Sequence, residues 1–208
     1  MAMEMTQFFV AAQSDDARVR NGAERSLVQF QEHHHFLLSL SFELANDHKP
    51  LESRQLAGIL LKNSLSKQWI ALNTVIKSQI KDLLLTTLAS SASHTAAQVI
   101  AKVASIEISL KQWPQLVKSL LSNLSRQDSP NPLKQATLET LGYVFEEVSP
   151  EDLVQDNEES NYVFRAVVCG ANRSQTSPEL VLASINALLK ALDYAHTKLE
   201  KRLHPHFC

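Results

Sequence analysis

Helix-length apolar patterns recur along this chain in pairs, and the pairs restart at a nearly regular interval. Taking the second member of each pair as the marker, the starts fall near Asp15, Leu51, Thr95, Pro132 and Pro178, with spacings of 36, 44, 37 and 46 residues. A helical hairpin of this size cannot bury both of its apolar faces alone, so successive hairpins must stack on one another. Composition agrees: of 208 residues only 4 are Gly, where average usage would give roughly fifteen. Leu and Ala, 31 and 21 residues, make up a quarter of the chain, and aromatics only 6%. Sheet proteins need turn glycines and β-branched or aromatic runs, so the chain is predicted to be all-α.

The spacing predicts ten helices. The first covers Met3 to Ala12 with Phe8 and Phe9 buried. The second covers Asp16 to Glu32, capped by Ser14 and Asp15, with a face of Val19, Ala23, Leu27 and Phe30. The third, His34 to Ala45, buries Phe36, Leu37, Leu40 and Leu44 and stops at Asn46, Asp47 and Pro50. In the fourth, Leu51 to Trp69, the face turns through Leu56, Ile59 or Leu60 and Asn63, with Ala57 and Gly58 as small contact residues. Asn73 caps the fifth, Thr74 to Ala89, striped by Ile76, Ile80, Leu83, Leu84 and Thr87. The sixth, Thr95 to Ile108, carries Val99, Val103 and Ile106. Pro114 opens the seventh, Gln115 to Leu124, at its first turn. The eighth is Leu133 to Val148, with Leu138, Leu141, Val144 or Phe145; the ninth is Ser160 to Ala171; and the tenth runs from Glu179 to about Lys201, opened by Pro178.

Several function classes are disfavoured by residues that are missing. No GxGxxG, GxxxxGK[ST] or GxSxG occurs, which removes the commonest phosphate cradles and the nucleophile elbow. A formal charge of −2 and a pI near 6.4 do not suit a general nucleic-acid binder and point to protein partners. Cys169 and Cys208 stand far apart without a CxxC pair, so neither a disulfide framework nor a zinc ribbon is expected, and a reduced intracellular setting fits. The longest apolar runs fall far short of a membrane span, and Asp15 and Asp16 interrupt any secretory signal.

The interval of about 40 residues is that of HEAT or armadillo repeats; a compact bundle is the other packing open to ten such helices. Four stretches decide between them. Leu56-Ala57-Gly58-Ile59-Leu60-Leu61-Lys62-Asn63-Ser64-Leu65, followed by Lys67-Gln68-Trp69-Ile70-Ala71, resembles the second HEAT repeat of the importin-β (karyopherin-β) family. Ala104-Ser105-Ile106-Glu107-Ile108 with Gln112-Trp113-Pro114-Gln115-Leu116 resembles the junction of that family's third and fourth repeats. Thr137-Leu138-Glu139-Thr140-Leu141-Gly142-Tyr143 is similar to its fourth repeat, and Asn186-Ala187-Leu188-Leu189-Lys190-Ala191-Leu192 to its fifth, with plant-like variants nearest. The resemblance covers residues 4 to 202 and only the N-terminal quarter of the family's protein. It implies a right-handed α-α superhelix of about five HEAT repeats, near 3–32, 34–69, 74–108, 114–148 and 160–201. The family's N-terminal domain would fall at about 23–89 and a divergent tail at 203–208. The short stretch Ser64 to Trp69 and the ending Leu203 to Cys208 depart from the family pattern, which reads as a truncated paralogue or partial product.

Such receptors bind Ran-GTP through inner helices of their N-terminal repeats and Phe-Gly nucleoporins between outer helices, and they work in the cytoplasm, the nucleus and the nuclear pore. By position, the resemblance assigns Lys62 and Lys67 to Ran, the alternative being two solvated surface lysines. It assigns Phe164, Arg165 and Val168 to one wall of a nucleoporin groove, unless they simply face a following repeat. Importin-α binding lies further along the family's chain and is not expected here.

From the residues alone, Gln135 to Phe164 holds no Lys or Arg and eight acids, among them Glu146, Glu147, Glu151 and Asp152. This is either an acidic surface for basic cargo or a solvated turn. No catalytic residue, cofactor or metal is expected. His33, His34 and His35, read as consecutive helix residues, point about 100° apart and cannot converge on one ion. The tail residues His204, His206 and Cys208 are the weaker chelating candidates. Trp69 and Trp113 are expected in the core. The reading that emerges is a non-enzymatic nuclear import receptor segment, the alternatives being a structural HEAT scaffold or an inactive fragment.

Overall fold

A computed structural model describes residues 5–33, 35–148 and 177–203, and the described residues contain nine α-helices and no strand. They are α1 (Met5–Ala12), α2 (Ala17–Phe30), α3 (Phe36–Ala45), α4 (Leu51–Gln68), α5 (Thr74–Thr87), α6 (Ser93–Glu107), α7 (Leu116–Ser125), α8 (Asn131–Glu147) and α9 (Pro178–Leu203). A single 3-10 turn, Trp69–Ala71, follows α4. The expected ninth helix, Ser160 to Ala171, lies outside the described residues, as do Cys169, the stretch 149–176 and the tail from His204 onward. The chain divides into two compact units, Met1–Val99 and Ile100–Cys208, the division falling within α6.

In the first unit α1 pairs with α2 and α3 with α4, while α3 also packs on α1 and α5. Hairpins therefore stack first helix on first helix. The core holds Phe9, Phe36, Leu37, Leu40 and Leu44, all buried as their spacing required, and each such side chain contributes about 1.5–3 kcal/mol by leaving water. Phe30 meets Phe36 edge to face, ring centroids 5.8 Å apart, across the α2–α3 turn. In the second unit α7 pairs with α8, and α8 packs along α9. Gly142 of α8 faces Ala187 of α9 closely enough that an added Cβ would sit 3.6 Å from the Ala187 Cα.

Several boundaries and faces differ from expectation, each for a local reason. Asp16, extended at φ −71° and ψ 111°, is itself the α2 cap and accepts from the Arg18 N–H at 2.8 Å; Ser14 supports it by accepting from the Asp16 N–H. Val19 stays exposed, so the buried α2 face narrows to Ala23 and Leu27, and Phe8 is only half-buried. Pro114 lies ahead of α7, whose cap is Gln115; Pro132 instead occupies the first turn of α8. His33 and His35 sit in the turn before α3 rather than on a helix, so the 100° argument does not apply to them. Among the described residues no group of three His, Cys, Asp or Glu is placed to hold a metal, and no helix is long and apolar enough to cross a membrane.

The largest correction concerns α4. Its buried face is Ser53, Arg54, Ala57, Gly58, Leu61 and Leu65, while Ile59 and Asn63 are exposed and Leu56 is half-buried. Apolar periodicity misread the helix because two of its inward positions are polar.

α6 ends in a left-handed cap. Lys111 adopts φ 57°, the Lys111 N–H donates to the Ile108 carbonyl at 2.9 Å, and the Gln112 N–H reaches back to the Glu107 carbonyl at 2.8 Å. This paired arrangement usually places Gly at the left-handed position. Lys111→Gly is accordingly expected to stabilise the chain by about 0.5–1 kcal/mol, because it relieves a left-handed penalty of about 1–2 kcal/mol and gives back part of that in chain entropy. A lower urea midpoint for the variant would contradict this.

Candidate interaction surface

Two polar clusters lock the first unit. The Glu43 carboxylate, 6% exposed, accepts from the Thr6 hydroxyl at 2.7 Å and the Ser53 hydroxyl at 2.6 Å, tying α1, α3 and α4 together. Arg54, 2% exposed, donates from Nε to the Leu44 carbonyl at 2.8 Å and from its two terminal nitrogens to the Ser91 and Ser90 hydroxyls at 3.1 and 2.8 Å. Asp47 pairs with the same guanidinium at 2.7 Å from the solvent side. Buried charges persist only when satisfied in this way. The Glu43 and Arg54 side chains hold the helices in place and are too enclosed to meet a partner.

What α4 presents outward is a different set: Gln55, Ile59 and Asn63 exposed, Lys62 half-buried and Lys67 exposed near its end. Lys62 and Lys67 are thus brought to one helix, five positions apart. The helix passes into the 3-10 turn, where Trp69 is buried to 1% exposure and Lys77 Nζ lies 5.8 Å over its ring. Gln68 Nε2 donates to the Gln31 carbonyl at 2.9 Å, fixing the end of α4 against the end of α2. Trp113 is likewise buried in the second unit, so both tryptophans fill core as expected.

Of the four acids assigned to a partner surface, Glu146 and Glu147 are described, and both find lysines within the second unit: Glu146 pairs with Lys190 of α9, and Glu147 with Lys102 of α6 at 3.7 Å. Their charge is partly neutralised by these neighbours. Sequence reading missed both pairs because the partners lie more than forty positions away. Glu151, Asp152, Phe164, Arg165 and Val168 lie outside the described residues. In the loop between α7 and α8, the hydrogen bond from Arg126 holds the Asp128 carboxyl below its ordinary range, on a fully exposed pair. On α9, Leu182, Ile185, Leu189 and Leu192 form an exposed apolar stripe at helical spacing.

Helical hairpins whose first helices pack on one another define the architecture of a HEAT-repeat protein. The chain resembles the importin-β family: residues 23–90 match the importin-β N-terminal domain. It is 49% identical to importin subunit beta-1 of Arabidopsis thaliana over 94% of its own length and 24% of that protein. It superposes on yeast importin-β, Kap95p, with a TM-score of 0.82 at 30% identity, over 95% of this chain and 25% of that one. With Kap95p in a structure describing its effect on the switch loops of RanGDP, the TM-score is 0.85 at 30% identity over 96% of this chain. The chain thus spans about a quarter of the length of each of these proteins.

Proposed function

We propose that this chain acts by coupled binding in nuclear protein import, taking GTP-bound Ran on the concave face through the solvent-exposed side of the inner helix α4, and moving between cytoplasm and nucleus. The carrying observation is that nearly the whole chain superposes on the part of Kap95p that it matches in a structure concerned with Ran. Lys62 and Lys67, presented together by α4, supply the positive charge for an acidic partner surface. A ligand that occupies such a face excludes others from it, so Ran and cargo would be linked as competing ligands without any chemical step. Basic cargo at Glu146, Glu147, Glu151 and Asp152 gains less support, since the first two already hold lysines. The groove residues Phe164, Arg165 and Val168 remain the proposed nucleoporin contact.

Capture by immobilised Ran loaded with GTP or GDP tests the reading. Retention is expected to be at least about fivefold greater with GTP, and Lys62→Glu with Lys67→Glu should lower it by about tenfold, the effect of a like-charge contact worth about 1.4 kcal/mol. Equal or absent capture in both nucleotide states would sink the proposal.

A further inference from the structure

The longest stretch of the first unit without an acidic residue runs from Ser53 to Lys81, and it carries Arg54, Lys62, Lys67, Lys77 and Lys81. Arg54 is turned inward and satisfied, which leaves four lysines along α4 and α5. The corner between those helices holds the two most exposed large apolar side chains of the described residues, Ile70 at 74% and Val75 at 66%. They flank a rigid turn: Trp69 anchors it from below, Lys77 lies over that ring, and Asn73 caps α5 by accepting from the Ile76 N–H at 2.9 Å. The start of α5 adds its own partial positive charge to the same corner.

We infer that this corner is a docking surface for an acidic peptide segment carrying one or two bulky apolar side chains. Charge complementarity selects the occupant. An apolar centre with a polar rim is the usual anatomy of a protein contact, and along the α4–α5 segment from Ser53 to Lys81 every ionisable side chain but the inward Arg54 is a lysine. Isolated exposed aliphatics are ordinary on any surface, but these two stand five positions apart on one anchored turn, flanked along the chain by Lys67 and Lys77. A nucleic acid is served less well, because Trp69 is buried and no exposed aromatic or arginine offers a stacking platform. The inference does not rest on the Ran reading: its determinants are Ile70 and Val75, whereas that reading uses Lys62 and Lys67.

Fluorescence anisotropy on the full chain provides the test. The probe is a labelled peptide of about sixteen residues with Asp and Glu around two Leu and one Phe; one control replaces the acids with Lys and another the apolar residues with Ser. Saturable binding of the acidic peptide is expected, about tenfold weaker for either control and falling steeply with added salt. Ile70→Ser with Val75→Ser should weaken it by at least about fivefold. Both positions are exposed, so circular dichroism and Ran capture of that variant should match the parent. Absence of saturable binding, equal binding of the controls, an unchanged double variant, or tighter binding of a single-stranded oligonucleotide or anionic lipid vesicles would each overturn the inference.

Discussion

Arg54→Leu is expected to destabilise the first unit by about 3 kcal/mol, although it places an apolar side chain at a buried helix position. The Leu44 carbonyl loses its Nε–H donor, the Ser90 and Ser91 hydroxyls lose theirs, and the turn leading into α6 is released from α4. Leucine can fill part of the volume but leaves the buried Leu44 carbonyl without its donor, at about 1–3 kcal/mol, whereas half-buried Ser90 still donates to the Thr87 carbonyl and exposed Ser91 turns to water. Arg54→Lys should recover only part of the loss, since a single ammonium cannot reproduce the planar fork. Asp47→Asn is the contrasting case: Asp47 is 67% exposed, and Arg54 keeps three other acceptors, so a loss below about 1 kcal/mol is expected. Urea unfolding of the three variants decides. A leucine variant as stable as the parent would mean that the cluster tolerates the loss of its donor.

Gly58→Ala should destabilise by about 1–2 kcal/mol, against the sign that helix propensity dictates. Alanine in place of glycine within a helix normally stabilises by about 1 kcal/mol. At Gly58, however, the added Cβ would overlap the Thr95 Cγ2 and crowd Leu44 Cδ1 at 3.3 Å. Thr95 is β-branched, so it has few rotamers in a helix with which to move aside, and overpacking of this kind costs about 1–3 kcal/mol. Gly22→Ala in α2 is the matched control. Nothing lies within 4 Å of its added Cβ, and it should stabilise by about 0.5–1 kcal/mol. Thermal unfolding of both variants reads the difference, and two changes of the same sign would contradict the packing described here.

The two glycines show how much of this molecule is legible before folding. They are equivalent in sequence, each a helix-interior residue, yet one position is open and the other closed, because only the approach of α3 and α6 to α4 distinguishes them. The α4 face repeats the lesson. Its spacing suggested Leu56, Ile59 or Leu60 and Asn63, with Ala57 and Gly58 as contacts; Ala57 and Gly58 are buried, but beside Ser53 and Arg54. Their partners, Glu43, Leu44, Ser90 and Ser91, lie ten to thirty-seven residues away in sequence. Local periodicity counts hydrophobic residues and cannot register a polar side chain that buries itself by finding distant partners.

The candidate site divides in the same way. The family resemblance singled out Lys62 and Lys67, the helical pattern from Leu51 to Trp69 held both, and α4 carries them. The pairing of Glu146 and Glu147 with Lys190 and Lys102 required α6, α8 and α9 to be brought together. The exposed corner at Ile70 and Val75 was invisible because aliphatic residues beside a tryptophan read as core until the turn that exposes them is built.

By itself, then, the sequence determined an all-helical chain of paired helices at an interval near 40 residues, its glycine-poor turns and its buried tryptophans, and it carried the importin-β resemblance. All of these follow from properties of single residues and their spacing along the chain. Tertiary structure decided which face of α4 is inward, which glycine is closely packed, which charges are neutralised and which apolar side chains stay in water. Those depend on pairs of side chains from different helices, whose meeting is set by how whole helices stack rather than by the pattern along any one of them.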